Sequence, residues 1–547
     1  MRNKSTKKNK QLNNFIMQGG ILAIVGILVR IIGLVKRIPL TNIIGDRGNG
    51  LYAAAYEIYS IVLLISSYSL PLAVSKLISK KLALKEYKNV DRSLKAALLF
   101  AIISGGIASI IVYYFADFFA GTLMLEPMSA LALKVLSPTL FIIAIMGVIR
   151  GYFQGMGTMV PTAISQVIEQ IFVVIASLIG ASILFDYGTS VGKLLQNDNY
   201  AAAYGAAGGS IGPFVGGLMG LIFLMFICFI FNKYQLRKIR KDSISKNESL
   251  INIFKMLVMI ILPVILSTAI YNITNIIDQR LYNQVMLSKG LDDIKTVHWG
   301  IYAGKYNVLK NIPLAIASAL CASTVPEISK NMVIRGGERA VLQKISKVIK
   351  TSMIIAIPCA MAFFVLSTDI MHLLFSDSSN LTSKLLSIGS LSVIFFSLST
   401  LTNGILQGID KMFVPIINAA ISIVIHLIVL YPLLVFTNLG IISVVIANMV
   451  FGISMCILNN IALRRYIPYK QDYRNSFISP FIASIAMGVV LWGAKLLFGL
   501  LAWNSKILEI IEFVIIALIG GIVYFIVLFI LKAIDKDEVL SIINRRR

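Results

Sequence analysis

Arg30, Lys36 and Arg37 lie in one apolar stretch, ILVRIIGLVKRIPL, where a hydrocarbon layer gives no reason for cations. A charge inside a membrane span costs about 2.5–3.5 kcal/mol on insertion scales, and such groups face a cavity or each other rather than lipid. Arg30 and Arg37 are about two helical turns apart and share a helix face. Arg150 closes a later apolar stretch, and Lys305 and Lys310 sit in YAGKYNVLKNIP. The embedded acids are fewer: Glu57, Glu169 and Asp278. Fixed cations in a low-dielectric space suit anion binding, and the guanidinium fork suits phosphate above all. The substrate-binding candidates are therefore Arg30, Lys36, Arg37, Arg150, Gln154, Lys305, Lys310 and Gln407. Glu57, Glu169 and Asp278 are candidates for counter-ions or for an ion-coupling site. Plainer alternatives stay open. Lys36, Arg37 and Lys310 can snorkel to an interface, and Arg30 can pair structurally with Glu57 or Glu169. Asn272, Asn275 and Asp278 recur every three residues, with Tyr271 adjacent, and such a polar stripe faces protein or water.

These groups need elements to carry them. The chain has 547 residues, is 57% hydrophobic and only 14% charged, with a mean hydropathy of +0.84. Apolar runs of about 20 residues recur throughout, each long enough to cross a bilayer as a helix. The pattern predicts an all-α polytopic membrane protein with about fourteen spans, including 16–41, 52–79 and 251–279. Six spans precede the basic linker NKYQLRKIRKDSISK at 232–246, six follow, and a pair ends the chain. Two pseudo-symmetric six-helix lobes are expected at 1–240 and 241–470, with two extra helices and a cytoplasmic tail at 471–547. The net charge of +25 is concentrated in alternate loops, such as KKLALKEYKNVDRSLK at 80–95. That is topology control rather than nucleic-acid binding, and it places both termini in the cytoplasm. The basic N-terminus leads into a retained first helix, since no cleavage pattern follows it.

One motif supports the repeat. The fourth span ends in Gly151-x-x-Gln154-Gly155 with Pro161 opening the fifth, and the tenth ends in Gly404-x-x-Gln407-Gly408 with Pro415 opening the eleventh. The helix ranks match, and six is even, so the repeat is parallel. Glycine and proline there read as helix punctuation. The shared glutamine suggests a contact between lobes.

Four scattered cysteines and three scattered histidines give no metal-ligand spacing, and no phosphate-binding Gly-x-x-x-x-Gly-Lys-Ser/Thr loop occurs. No enzyme chemistry and no cofactor are expected.

VRIIGLVKRIPLTNIIG, GLYAAAYEIYSIVLLISSYSLPLAVSKLISK, RGYFQGMGTMVPTAISQVIEQ and IPLAIASALCASTVPEISK together resemble the multidrug/oligosaccharidyl-lipid/polysaccharide exporter superfamily. The resemblance is to its polysaccharide-biosynthesis branch, that of stage V sporulation protein B and MurJ-type lipid II flippases, and it runs over nearly the whole chain. It implies two lobes around a cavity, alternating access, a hydrophobic groove at the last two helices, and export of a lipid-linked sugar pyrophosphate. Lipid II is the first choice and a teichoic-acid or capsule unit the substitute. Arg30, Gly33 and Lys36 fit the branch's functional basic pattern in span one. Glu57 stands where the branch often has a base, and Lys305 and Lys310 are out of register with the branch's span-eight arginine. The membrane potential, or a coupled sodium ion or proton, would supply the drive. The bilayer and the lipid-linked sugar are the expected partners, with cell-wall synthesis proteins beside a monomeric transporter in the cell membrane. A multidrug antiporter would need an acidic, aromatic cavity. A membrane glycosyltransferase would need a large catalytic loop, and a scaffold would have no use for Arg30.

Overall fold

Lipid leaves a peptide backbone only its own partners, so long apolar runs become helices. A computed structural model describes residues 2–240, 242, 248–333, 337–498 and 505–533. The side chains of 2–24, 27, 68, 232–240, 263–264, 266–271, 326 and 333 are outside that description, as are the tail from 534 and most of the linker around 241–247. Tyr271 of the expected polar stripe thus lies outside it.

Every regular element among the described residues is helical. The first half holds α1 (Arg2–Leu63), α2 (Leu70–Ala83), α3 (Tyr87–Tyr114), the single turn α4 (Ala116–Phe118), α5 (Ala130–Gly155), α6 (Val160–Leu195) and α7 (Asn199–Arg240). After the linker come α8 (Leu250–Ser288), α9 (Asp292–Ile301), α10 (Asn307–Val333), α11 (Glu338–Val365), α12 (Ser367–Phe375) and α13 (Asn380–Gly408). The chain closes with α14 (Phe413–Phe436), α15 (Ile441–Tyr466), α16 (Ser479–Phe498) and α17 (Lys506–Ile530).

Twelve stretches of the described residues are long and apolar enough to cross a membrane. One of them, Leu28–Ala83, holds residues 28–41 of the span expected at 16–41 and the whole of that expected at 52–79, and the span expected at 251–279 falls on the partly described α8. The twelve are runs of helix and do not by themselves fix the number of crossings. Long exposed apolar faces accompany them: Ile103, Ile107 and Ile110 stand out along α3, for example. In water such a surface would be a liability; against acyl chains it is what a span requires.

Gly45 interrupts α1 at φ 68°, ψ −179°, a conformation open to glycine and costly for any residue with a Cβ. It turns the chain between the first two expected spans without a loop. The α6–α7 hairpin closes on glycines. A Cβ on Gly180 would fall 2.6 Å from the Gly208 carbonyl, and one on Gly216 would fall 2.6 Å from that of Glu169. Small residues allow such approach where no hydrophobic force drives helices together.

The described helices form two compact units, Met1–Gly304 and Lys305–Arg547. Each contains one copy of the Gly-x-x-Gln-Gly motif, built alike. In the first unit the Gly157 amide donates to Gln154 O at 3.0 Å and the Thr158 amide to Phe153 O at 3.1 Å. In the second the Asp410 amide donates to Gln407 O at 3.1 Å and the Lys411 amide to Leu406 O at 2.9 Å. Both are the paired bonds of a Schellman cap, with Gly157 and Asp410 in the left-handed region. Each preceding helix then seats its glycines on an earlier helix of its own unit. Gly151 and Gly155 lie against Pro71 and Ile78 of α2, and Gly404 and Gly408 against Cys321 and Ile328 of α10. Ser79 Oγ donates to Gly155 O at 3.0 Å, and Ser329 Oγ donates to Gly408 O at 2.9 Å. The repeat extends to a serine on a different helix, which the motif alone did not reveal.

Candidate functional site

Span one carries its cations into the interior of the first unit. Lys36 is only 7% exposed. Its Nζ donates to Ser177 Oγ of α6 at 3.3 Å, and that hydroxyl donates on to Gly209 O at 2.9 Å. No carboxylate pairs with Lys36 among the described residues. Arg37 stacks over Tyr52 and Tyr56, its guanidinium carbon 4.7 and 5.7 Å from the ring centroids, a cation–π seat. Its Nη1 is buried with no hydrogen-bond partner among the described residues. Arg30, two turns earlier, is exposed and makes no hydrogen bond or ion pair among the described residues. It is not packed away between helices. Gly33 lies under Gln170, whose Nε2 would be 3.3 Å from a Cβ there.

Near this group are the acids. Arg150 Nη2 meets Glu169 Oε2 at 2.7 Å, and Arg150 Nε donates to Ser165 Oγ at 2.9 Å. Glu57 is half-buried, accepts a hydrogen bond from Asn275, and lies within electrostatic range of Arg37 and Asp278. Asp278 is buried. Lys36, Arg37, Glu57, Arg150, Glu169 and Asp278 all belong to the first unit. Its interior thus holds four kinds of chemistry in one connected region: ammonium, guanidinium, carboxylate and phenol. Sequence reading did not pick out Ser177, Tyr52 or Tyr56. The signal was available for the tyrosines, since Tyr52, Tyr56 and Tyr59 repeat at helical spacing beside Glu57.

The second unit holds the remaining candidates separately. Lys305 is buried and its Nζ meets Asp377 Oδ2 at 2.5 Å. Lys310 sits over the Tyr306 and Phe396 rings at 5.3 and 4.9 Å. Tyr306 itself is fixed by a 2.8 Å hydrogen bond with Ser392 Oγ. Gln407 is exposed and Gln154 half-buried; neither side chain makes a hydrogen bond among the described residues, whereas both backbone carbonyls accept cap bonds.

Asp377 lies in the loop between α12 and α13. Burial pushes its carboxyl up, but hydrogen bonds from Lys305, Thr382 and the Ser379 amide, with the charge of Lys305, overcome this and hold it at about 2. A carboxyl held below its unfolded value adds stability that is complete above that value, near 3.8, and is lost as pH falls toward 2. Asp377→Asn should therefore lower unfolding stability in detergent by about 2 kcal/mol at neutral pH. The deficit should shrink steadily below pH 4, read by thermal melts across that range.

Comparison with known proteins places these cations in a family. The family described as "Polysaccharide biosynthesis protein" matches residues 16–332. The chain belongs to that family. A second match, to the family MatE, covers 335–432. The chain is a multi-pass membrane transporter of the multidrug/oligosaccharidyl-lipid/polysaccharide exporter superfamily, MurJ-like, and not an enzyme. It is 24% identical over 534 residues to stage V sporulation protein B of Bacillus subtilis (strain 168), covering 95% of this chain and 96% of that one. It is 26% identical over 535 residues to the lipid II flippase MurJ of the same organism, covering 94% and 95%. Among solved structures, the lipid II flippase MurJ in an inward closed conformation matches with a TM-score of 0.66 at 15% identity, covering 92% of this chain and 97% of that one. An inward-facing multidrug resistance MATE family transporter matches with a TM-score of 0.61 at 16% identity, covering 80% and 95%. At these identities the structural matches speak for the fold alone. They agree with the exporter fold that the span-one and span-two motifs implied.

Proposed function

We propose that this family member is an alternating-access flippase that exports a lipid-linked oligosaccharide pyrophosphate, with the peptidoglycan precursor lipid II as substrate. The observation that carries the reading is Lys36: a buried ammonium whose partner is a hydroxyl, beside an Arg37 whose Nη1 is buried with no hydrogen-bond partner among the described residues. Burying an ammonium with only a hydroxyl for a partner is costly, and a bound anion would offset that cost. A pyrophosphate supplies the anion, and Arg30, exposed two turns away on the same helix, meets it first. The resemblance in sequence to a lipid II flippase over nearly the whole chain supports the same substrate class.

In this reading the protein works in the cell membrane with both termini in the cytoplasm, and serves cell-wall synthesis. No covalent bond changes. An inside-negative potential drives an anion outward by about 2.3 kcal/mol per charge per 100 mV. Glu57 and Asp278 are where a coupled proton or sodium ion would act.

The test is translocation of fluorescent lipid II by the purified protein in vesicles. The native protein should move lipid II, and Arg30→Ala should slow it at least tenfold, about 1.4 kcal/mol in barrier. A native protein that moves an organic cation and no lipid II would be an antiporter, and the reading fails. Movement of a teichoic-acid or capsule precursor in place of lipid II would keep the flippase and replace the substrate.

A further inference from the structure

The loop between α3 and α5 ends in an unusual run of captured oxygens. Arg280 Nη1 donates to Thr122 O at 2.6 Å and to Leu123 O at 2.8 Å. Asn283 Nδ2 donates to Met124 O at 2.7 Å. Lys295 Nζ donates to Leu125 O at 3.1 Å and meets Glu126 Oε1 at 2.9 Å. Thr296 Oγ1 lies 2.8 and 2.9 Å from the two Glu126 carboxylate oxygens. Five consecutive residues, 122 to 126, are thus held by side chains of α8 and α9. The Lys295 and Glu126 side chains are each 5% exposed. Leu125 sits at φ 56°, a left-handed conformation that a leucine adopts only when its surroundings force it.

α9 and the turn that follows it bind α1 on both sides of its glycine break. Arg47 Nη2 donates to Asp293 O at 2.6 Å and Thr41 Oγ1 to Gly304 O at 3.3 Å. A Cβ on Gly304 would fall 3.0 Å from Asn49 Cβ, and one on Gly50 or Gly300 would overlap the backbone of Thr296 or Asp46. A cavity of about 340 Å³, lined by Arg47, Glu126, Asn199, Asp292 and Lys295 among others, gives approach to the clasp. All of this lies within Met1–Gly304, and it is why a unit that might have ended at the linker extends to Gly304.

We infer that the 122–126 loop is a releasable clasp. It locks the ends of α8 and α9 to the first six spans on the outer side, and must let go for the transporter to open outward. The inference rests on the alternating-access reading and on the loop-charge pattern that puts this end outside. The chemistry suits release rather than permanent fixation. A buried ion pair adds little net stability because both ions have lost their hydration; when the outer side opens, water reaches Lys295 and Glu126 and offsets the cost of parting them, and the strained Leu125 relaxes when the loop lets go.

The test needs no substrate, so its failure is separable from failure of the lipid II reading. Asn49 is fully buried at the seam. Asn49→Cys, in the full-length protein in intact cells, reports access to an impermeant maleimide carrying a mass tag, with the parent protein as the control for native cysteines. Adding Glu126→Gln should raise the labelling rate at least tenfold. Arg280→Gln, which leaves no buried charge behind, should raise it in the same direction with the melting temperature unchanged. Flat labelling in both variants overturns the clasp. So does labelling that appears only in inside-out vesicles.

Discussion

Lys36→Met is expected to make the protein more stable and nearly inactive at once. The two effects have one cause. Lys36 is 7% exposed, its partner is the Ser177 hydroxyl at 3.3 Å, and Arg37 follows it in sequence. Holding an ammonium there costs several kcal/mol, which ordinary packing never recovers. Methionine has nearly the same length and no charge, and Ser177 keeps its own bond to Gly209 O at 2.9 Å. Removal of the cation should thus raise the melting temperature in detergent by about 2 °C or more. If the ammonium binds pyrophosphate in transit, the same change should lower lipid II translocation by about a hundredfold, some 2.7 kcal/mol of lost stabilisation. Lys36→Arg should keep most of the transport, because charge is what the anion reads. A variant that melts lower than native and still transports normally would show that Lys36 is structural.

How much of this was readable beforehand differs by residue. Helical class follows from apolar run length, because lipid admits few backbone solutions. The glycine–glutamine repeat was also legible, and the structure assigns it a defined task, a pair of Schellman caps with serine-sealed carbonyls. The reason it recurs is helix closure and close seating on α2 and α10, which falls on the glycines and the backbone. The embedded cations could be named from the sequence, but their surroundings could not. Whether a lysine is paired depends on residues brought in from elsewhere: Ser177 lies 141 positions from Lys36, and Asp377 lies 72 from Lys305. Periodicity carries no trace of such separations. The clasp was invisible for another reason. Glu126 and Lys295 stand in short segments between spans, where charge is ordinary in sequence, and only folding buries them to 5%.

Arg150 and Glu169 supply the second large effect, and here the expected sign is opposite to that at Lys36. Their nitrogen and oxygen lie 2.7 Å apart, with the side chains 12% and 23% exposed. The arginine also holds Ser165 Oγ at 2.9 Å, so it joins the end of α5 to α6. Glu169→Leu would leave the guanidinium partly buried with one hydroxyl for company. For a pair this sheltered the loss should be about 3 kcal/mol, near the lower end of values for broken buried pairs because some water still reaches both groups. Arg150→Met should cost a similar amount by stranding the carboxylate. The double variant should recover most of the loss, since two apolar residues of similar volume leave no unpaired charge. Thermal melts of the four proteins give the coupling directly. Transport separates the two roles that Arg150 could have. If it is a strut for α5 and α6, the double variant should export lipid II at close to the native rate. If it also binds the pyrophosphate, the double variant should be stable and slow. Glu169→Asp, which keeps the charge and shortens the reach, should then be more stable than Glu169→Leu and transport better. A double variant whose loss equals the sum of the two single losses would mean that the two residues act independently, and the ion pair would lose its place in the account of how α5 is held.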